Sequence, residues 1–166
     1  MNPACPPLGR VVATELKPST PHQFHFWTAR ESPIGIGAIV RVEENDRVVF
    51  GVVTDAFAYS DLMTPMHAVI GADGDPVAAG AEPTTRAEIR LFTAAVLRQI
   101  PEEPLQPVPL GPVWLASDRD VVLALRMDAY TGGERGTGIP VGLYAAGGLE
   151  APVYLDCDFL LGPEAA

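Results

Sequence analysis

Any chemistry in this sequence would have to come from three histidines, two cysteines, a few serines and a large set of carboxylates. The histidines fall at His22, His25 and His67 and the cysteines at Cys5 and Cys157, with none of the short repeated spacings that gather ligands on one metal ion. His25 stands between Phe24 and Phe26, a setting that fits an imidazole packed in a sheet better than a ligand. Asp73-Gly74-Asp75 begins like a calcium loop, but its acidic residues do not continue at alternate positions to a closing glutamate, so it reads as a turn. Gly35-Ile36-Gly37 opens no helix and lacks the third glycine of a dinucleotide loop. Tyr130 to Gly138, YTGGERGTG, lacks the Gly-Lys-Ser or Gly-Lys-Thr ending of a phosphate cradle. Of Ser19, Ser32, Ser60 and Ser117, none sits in a nucleophile elbow, and Ser117 fits a helix cap. Carboxylates abound, yet no spacing singles out an acid–base pair. The sequence therefore designates no catalytic, cofactor-binding or metal-ligating residue.

At 166 residues the chain suits one domain, large enough to bury roughly 70% of the surface its unfolded form exposes. A hydrophobic fraction of 48% with 17 Pro and 16 Gly describes a globular protein of many short elements and turns, which leans toward β structure. The formal charge is −10, and no stretch clusters Lys or Arg with aromatics. Tight binding to nucleic acid by this chain alone is not expected, because phosphate affinity depends on cationic neutralisation. No apolar run approaches the roughly 18 residues of a membrane span and no signal peptide opens the chain, so the expectation is a cytoplasmic protein without membrane contact.

The elements that would position any site are mostly strands. Residues 1–9 read as a flexible, proline-rich leader, and structure is expected from Arg10. Gln23 to Thr28, QFHFWT, favours a strand with Phe24, Phe26 and Thr28 on one face and His25 and Trp27 on the other. Ile39–Glu43 and Arg47–Thr54 flank Glu44-Asn45-Asp46 as a β-hairpin, with Gly51 marking a bulge or a close backbone approach. Ser60–Pro83 is a long connection. Arg86–Arg98 alternates polar and apolar residues with period two and reads as a long strand. Prolines at 101, 104, 107, 109 and 112 then impose an extended crossing up to Val113-Trp114-Leu115. Ser117-Asp118-Arg119-Asp120 opens the one expected helix, near 118–127, with a Ser-x-x-Asp variant of the capping box. Ile139 to Leu161 reads as strand, Gly-Gly turn and second strand, with Cys157 inside that last strand and Leu160-Leu161 as a buried ending. The resulting expectation is a mainly β domain over 10–161: a small closed antiparallel β-barrel with one short covering helix.

The segments GAIVRVEENDRVVFGVVTDAFAY, AEIRLFTAAVLR, Ala124-Leu125-Arg126-Met127-Asp128, IPVGL and VYLDCDFLLGPEAA resemble the N-terminal region of bacterial HerA-type hexameric ATPases, over roughly residues 10–166. In that family a small β-barrel, the HAS-barrel shared with rotary ATP synthases, precedes a RecA-like DNA-translocating motor. The resemblance implies that Gly162, Pro163 and Glu164 form the junction to the motor, that 162–166 begin the linker, and that the motor's sequence lies beyond Ala166. It implies no nucleotide site in these residues, ATP and magnesium belonging to the motor of the parent. The partners it implies are the chain's own motor domain, neighbouring subunits of a homo-hexamer, and a nuclease of the NurA type or a sirtuin-like or nuclease defence effector. DNA would be met only through the full assembly, in end processing or anti-phage defence.

For the partner interface the sequence points to Tyr59, Leu62, Met63 and Met66, because a long loop carrying uncharged apolar residues suits a contact surface. The same residues could instead pack on their own barrel. The alternative reading of the whole chain is a stand-alone small barrel that binds a ligand or nucleic acid. A ligand site would require a pocket with convergent polar groups. A nucleic-acid site would require basic residues interleaved with aromatics such as Phe24, Phe26 and Trp27.

Overall fold

Alternation along β2 (Gln23–Thr28) decides which side of the wall becomes the inside. Phe24, Phe26 and Thr28 are buried, whereas Trp27 lies 47% exposed on the outside. The computed structural model describes residues 6–59, 88–131, 138–146 and 149–161. β2 is joined by β1 (Gly9–Val12), β3 (Ile39–Glu44), β4 (Arg47–Tyr59), β5 (Ile89–Ile100) and β6 (Pro112–Leu115) in a closed antiparallel barrel of order β1-β2-β5-β4-β3-β6. The short β6 closes it by pairing Pro112 with Arg10 on one side and Trp114 with Arg41 on the other. Closure gives every strand of the barrel a partner on each side, while the Thr54–Tyr59 end of β4 runs on beyond β3 paired, among the described residues, with β5 alone.

The barrel interior is filled by side chains: Phe24, Phe26, Val40, Val42, Val49, Val53, Ala94 and Val113 are all essentially inaccessible. Phe26 stacks on Phe92 with ring centroids 5.3 Å apart. Gly51 is needed here. A β-carbon at that position would come within 2.7 Å of the Phe24 ring, and the β4–β5 register shifts between Phe50 and Gly51. The missing side chain thus makes room for an interior phenylalanine while the bulge sharpens the curl of the sheet. The expected hairpin joins β3 to β4 through Asn45-Asp46, with Glu44 paired to Arg47 and Asn45 at φ 53°. Asparagine is among the few residues that tolerate this left-handed conformation.

A second cluster lies on the outside of the wall. Ile39 and Phe50 point away from the interior and are covered by α1 (Asp118–Ala124) through Val121 and Ala124, and by Ala151 of β8 (Leu149–Asp156). α1 begins as the sequence indicates. The Asp120 amide donates to Ser117 Oγ at 3.3 Å and the Ser117 amide donates to Asp120 Oδ2 at 2.9 Å, completing a capping box. Asp120 also faces Arg41 of β3 at 3.6 Å, which ties the cap to the barrel. At the other end, Arg98 of β5 donates to the Leu123 carbonyl at 2.9 Å and to Asp128 at 2.8 Å, placing a cation at the negative end of the helix.

Several expectations change. The barrel comprises six strands from Gly9 to Leu115, and β8 pairs with β7 (Gly138–Ala146) in a separate two-stranded sheet. The last strand stops at Asp156. Cys157–Leu161 form a short helix, α3, and Leu160 and Leu161 are exposed rather than buried. The reason is visible in Cys157-Asp158-Phe159-Leu160-Leu161, which loses the period-two alternation a strand requires. Among the described residues two further short helices accompany α1, namely α2 (Asp128–Thr131) and α3, where one was expected. The final part of residues 1–9 belongs to the barrel: Leu8 packs against the core and its amide donates to the Val113 carbonyl at 2.7 Å.

Candidate docking surface

The outward residues of β2, β5 and β4 form a row. In register, Trp27 of β2 faces Leu91 of β5, which faces Phe57 of β4, and one step further Ile89 faces Tyr59. Strand spacing puts Trp27 and Phe57 about 10 Å apart with Leu91 between them. Phe57 and Tyr59 stack with centroids 6.2 Å apart, and the Lys17 ammonium sits 5.1 Å from the Phe57 ring centre. Trp27, Phe57, Tyr59 and Ile89 are 47%, 40%, 46% and 49% exposed. Rings of this size, gathered on one face and left open to water, are the material of contact surfaces.

The neighbouring row is polar. His25 faces Thr93, which faces Asp55, and the His25 Nδ1 lies 3.0 Å from Thr93 Oγ1. Burial holds the His25 pKa below its usual 6.5, and the nearby Lys17 adds to the effect while Asp55 opposes it. One residue out of phase with Ile89 and Leu91, Arg90 lies on the other face of β5, where Glu88 accepts from it at 2.8 Å and meets Arg30 at 3.3 Å. The hydrogen bond from Arg90 is the main cause of its lowered pKa.

Of the sequence-designated interface residues, Tyr59 lies on this face as the last residue of β4. Leu62, Met63 and Met66 fall outside the described residues, as do Gly162, Pro163 and Glu164 of the expected motor junction. Sequence alone does not single out Phe57, Leu91 and Ile89, and marks Trp27 only as one of the aromatics a nucleic-acid site would use. The signal was present in QFHFWT, where period two sets Trp27 opposite Phe24 and Phe26, and in the strand running on past Thr54 to Tyr59.

Solvent-open grooves flank the barrel among the described residues. One of about 550 Å³ is lined by Thr14, Pro18, Pro109 and Leu110, and one of about 530 Å³ by His22, Arg98, Glu102 and Arg126. The second is already knit together, because Glu102 accepts from Arg98 at 3.1 Å and from Arg126 at 2.8 Å. Among the described residues no group of three or more His, Cys, Asp or Glu is placed to hold a metal ion. No helix among them is long and apolar enough to cross a membrane. No protein-family model and no curated protein matches the sequence.

Proposed function

We propose that this chain is a non-catalytic oligomerisation and partner-docking barrel of a HerA-like ATP-driven DNA translocase. It would act in the cytoplasm with a nuclease or defence effector. The observation that carries the reading is a barrel whose interior is packed with phenylalanine and valine while aromatic rings are held on its outer wall at Trp27, Phe57 and Tyr59. A filled, closed sheet is a stiff support. Rings fixed on such a support lose little freedom when a partner covers them. In this reading ATP and magnesium belong to the motor domain, joined through Gly162, Pro163 and Glu164, and DNA is met only by the full assembly.

The test is size-exclusion chromatography with light scattering. The purified chain is run with and without a HerA-type motor and a nuclease of the NurA type or a sirtuin-like effector, alongside an ATP hydrolysis assay of the chain alone. Co-elution without hydrolysis by the isolated chain is the expected result. Nucleotide turnover by the chain alone, or failure to join any of these partners, overturns the reading.

A further inference from the structure

The chain feeding β3 reaches β4 through a tight turn and covers only part of its length. The Ala38 amide donates to the Gly35 carbonyl at 3.2 Å, and Gly37 stands at φ 86°, as a type II turn requires at its third position. The last pairings on this side are made by Val53, whose carbonyl accepts from the Gly37 amide at 2.8 Å and whose amide donates to the Ala38 carbonyl at 2.9 Å. β4 then continues as Thr54-Asp55-Ala56-Phe57-Ala58-Tyr59, about 20 Å of strand. All of these residues are exposed. One side stays zipped to β5, from Asp55 opposite Thr93 to Tyr59 opposite Ile89. Among the described residues nothing pairs with the side that β3 has left.

Exposed strand edges are commonly guarded by proline, lysine or a bulge. Here the register shift falls between Val53 and Asp55, where the open stretch begins, and Ala56-Phe57-Ala58-Tyr59 beyond it carries neither charge nor proline. β5 pairs in turn with β2, Leu91 with Trp27 and Arg90 with Thr28, so the edge belongs to a three-stranded sheet and is fixed before any partner arrives. Alternate residues of such a strand turn their N–H and C=O groups to the open side. Along their whole length these groups are matched only by another extended backbone. The side chains set what that backbone can carry. Phe57 and Tyr59 stand on the outer face in line with Leu91 and Ile89, while Ala56 and Ala58, opposite Phe92 and Arg90, leave room for larger neighbours on the other face. Ile36, 70% exposed in the turn before Gly37, adds an apolar stop at the Val53 end.

We propose that Thr54–Tyr59 binds an extended segment of a partner protein by strand addition. The segment lies along β4 as a further strand, with β-branched or aromatic residues at alternate positions beside Phe57 and Tyr59 and no proline where it donates to β4. Its backbone supplies the attachment and the two rings the selection. The inference rests on the docking reading above and gives that contact its mode.

The probe is a blocked heptapeptide, acetyl-Lys-Val-Thr-Val-Thr-Val-Lys-amide, titrated against the full chain beside the same peptide N-methylated at its five central residues. Alternate amides of Asp55–Tyr59 should exchange freely in the chain alone and slow when the first peptide binds. The N-methylated peptide, which keeps the side chains and loses the donors, should bind at least about tenfold more weakly. Phe57→Ser should weaken the first peptide by a similar factor. Thermal melts check that this variant folds, and Tyr59→Ser takes its place if it does not. Lack of saturable binding, or equal binding of the N-methylated peptide, overturns the inference. So does protection of every Asp55–Tyr59 amide before peptide is added, whether it is constant, meaning an edge already filled within the chain, or grows with chain concentration, meaning one filled by a second copy. Failure of motor and nuclease to co-elute with the chain while the peptide binds as described would overturn the docking reading alone, and co-elution without any peptide binding would overturn strand addition alone.

Discussion

The barrel and the β7–β8 hairpin are built from similar residues and fare differently. Every barrel strand has a partner on both sides, and its inward-facing valines and phenylalanines disappear from solvent. β7 and β8 pair only with each other among the described residues, and Ile139, Val141 and Leu143 stay 56%, 52% and 66% exposed. The hairpin is held by Tyr144, Leu149 and Ala151 against the outer cluster, and by the Tyr144 hydroxyl donating to the Gly37 carbonyl. A two-stranded ribbon gains little from its own pairing and depends on what it rests upon. Closure, more than β-favouring composition, therefore decides which apolar residues act as core.

The largest effect expected to separate the two regions comes from truncation. Phe24→Ala should lower the unfolding free energy by about 4 kcal/mol through a cavity in the closed interior. Leu143→Ser, in the hairpin, should change it by less than about 0.5 kcal/mol. Urea denaturation of both variants checks the contrast, and equal losses would mean the hairpin is as deeply packed as the barrel. Filling space should cost somewhat less than removing it. Gly51→Ala forces a β-carbon against the Phe24 ring, for an expected loss of about 2 kcal/mol, read in the same assay.

Ser117→Ala removes the cap of α1, the element shared by barrel and hairpin. About 1 kcal/mol should be lost, with amide exchange rising first along α1 and β8. The smallest effect is that of pH. The folded His25 titrates below 6.5, so between that value and 6.5 the unfolded chain binds more protons than the folded one. Its contribution to stability is complete above pH 6.5, declines as pH falls through this window and levels off below the folded pKa. Urea unfolding at pH 7.5 and pH 5.5 should reveal the decline, and His25→Gln should reduce it. A slope unchanged by that substitution would place the titrating group elsewhere.

Much of the barrel was legible because two signals agreed wherever it forms. Period-two alternation in QFHFWT sorted Phe24 and Phe26 from Trp27, and Glu44 to Arg47 carried its own turn chemistry. Gly51 was identifiable as a bulge, though the ring it accommodates was not, since Phe24 lies 27 residues away and meets it only after closure. The C-terminal end misled. Leu160 and Leu161 look like core by composition, yet the residues before them have lost alternation and the chain turns helical and exposed. The aromatic face was the hardest to see, because Trp27, Leu91 and Phe57 come from three strands and only register brings them into one row.

The most direct test of the docking barrel is hydrogen–deuterium exchange on the chain alone and in the assembly with its motor and nuclease. Amides of β2 and of Asp55–Tyr59 in β4 should gain protection on assembly, while Arg47–Val53, whose side chains are divided between the barrel interior and the cluster under α1, stays unchanged. Protection gained only along β7 and β8, with the Trp27 face exchanging as before, would contradict the claim that the outer wall of the barrel is the contact surface.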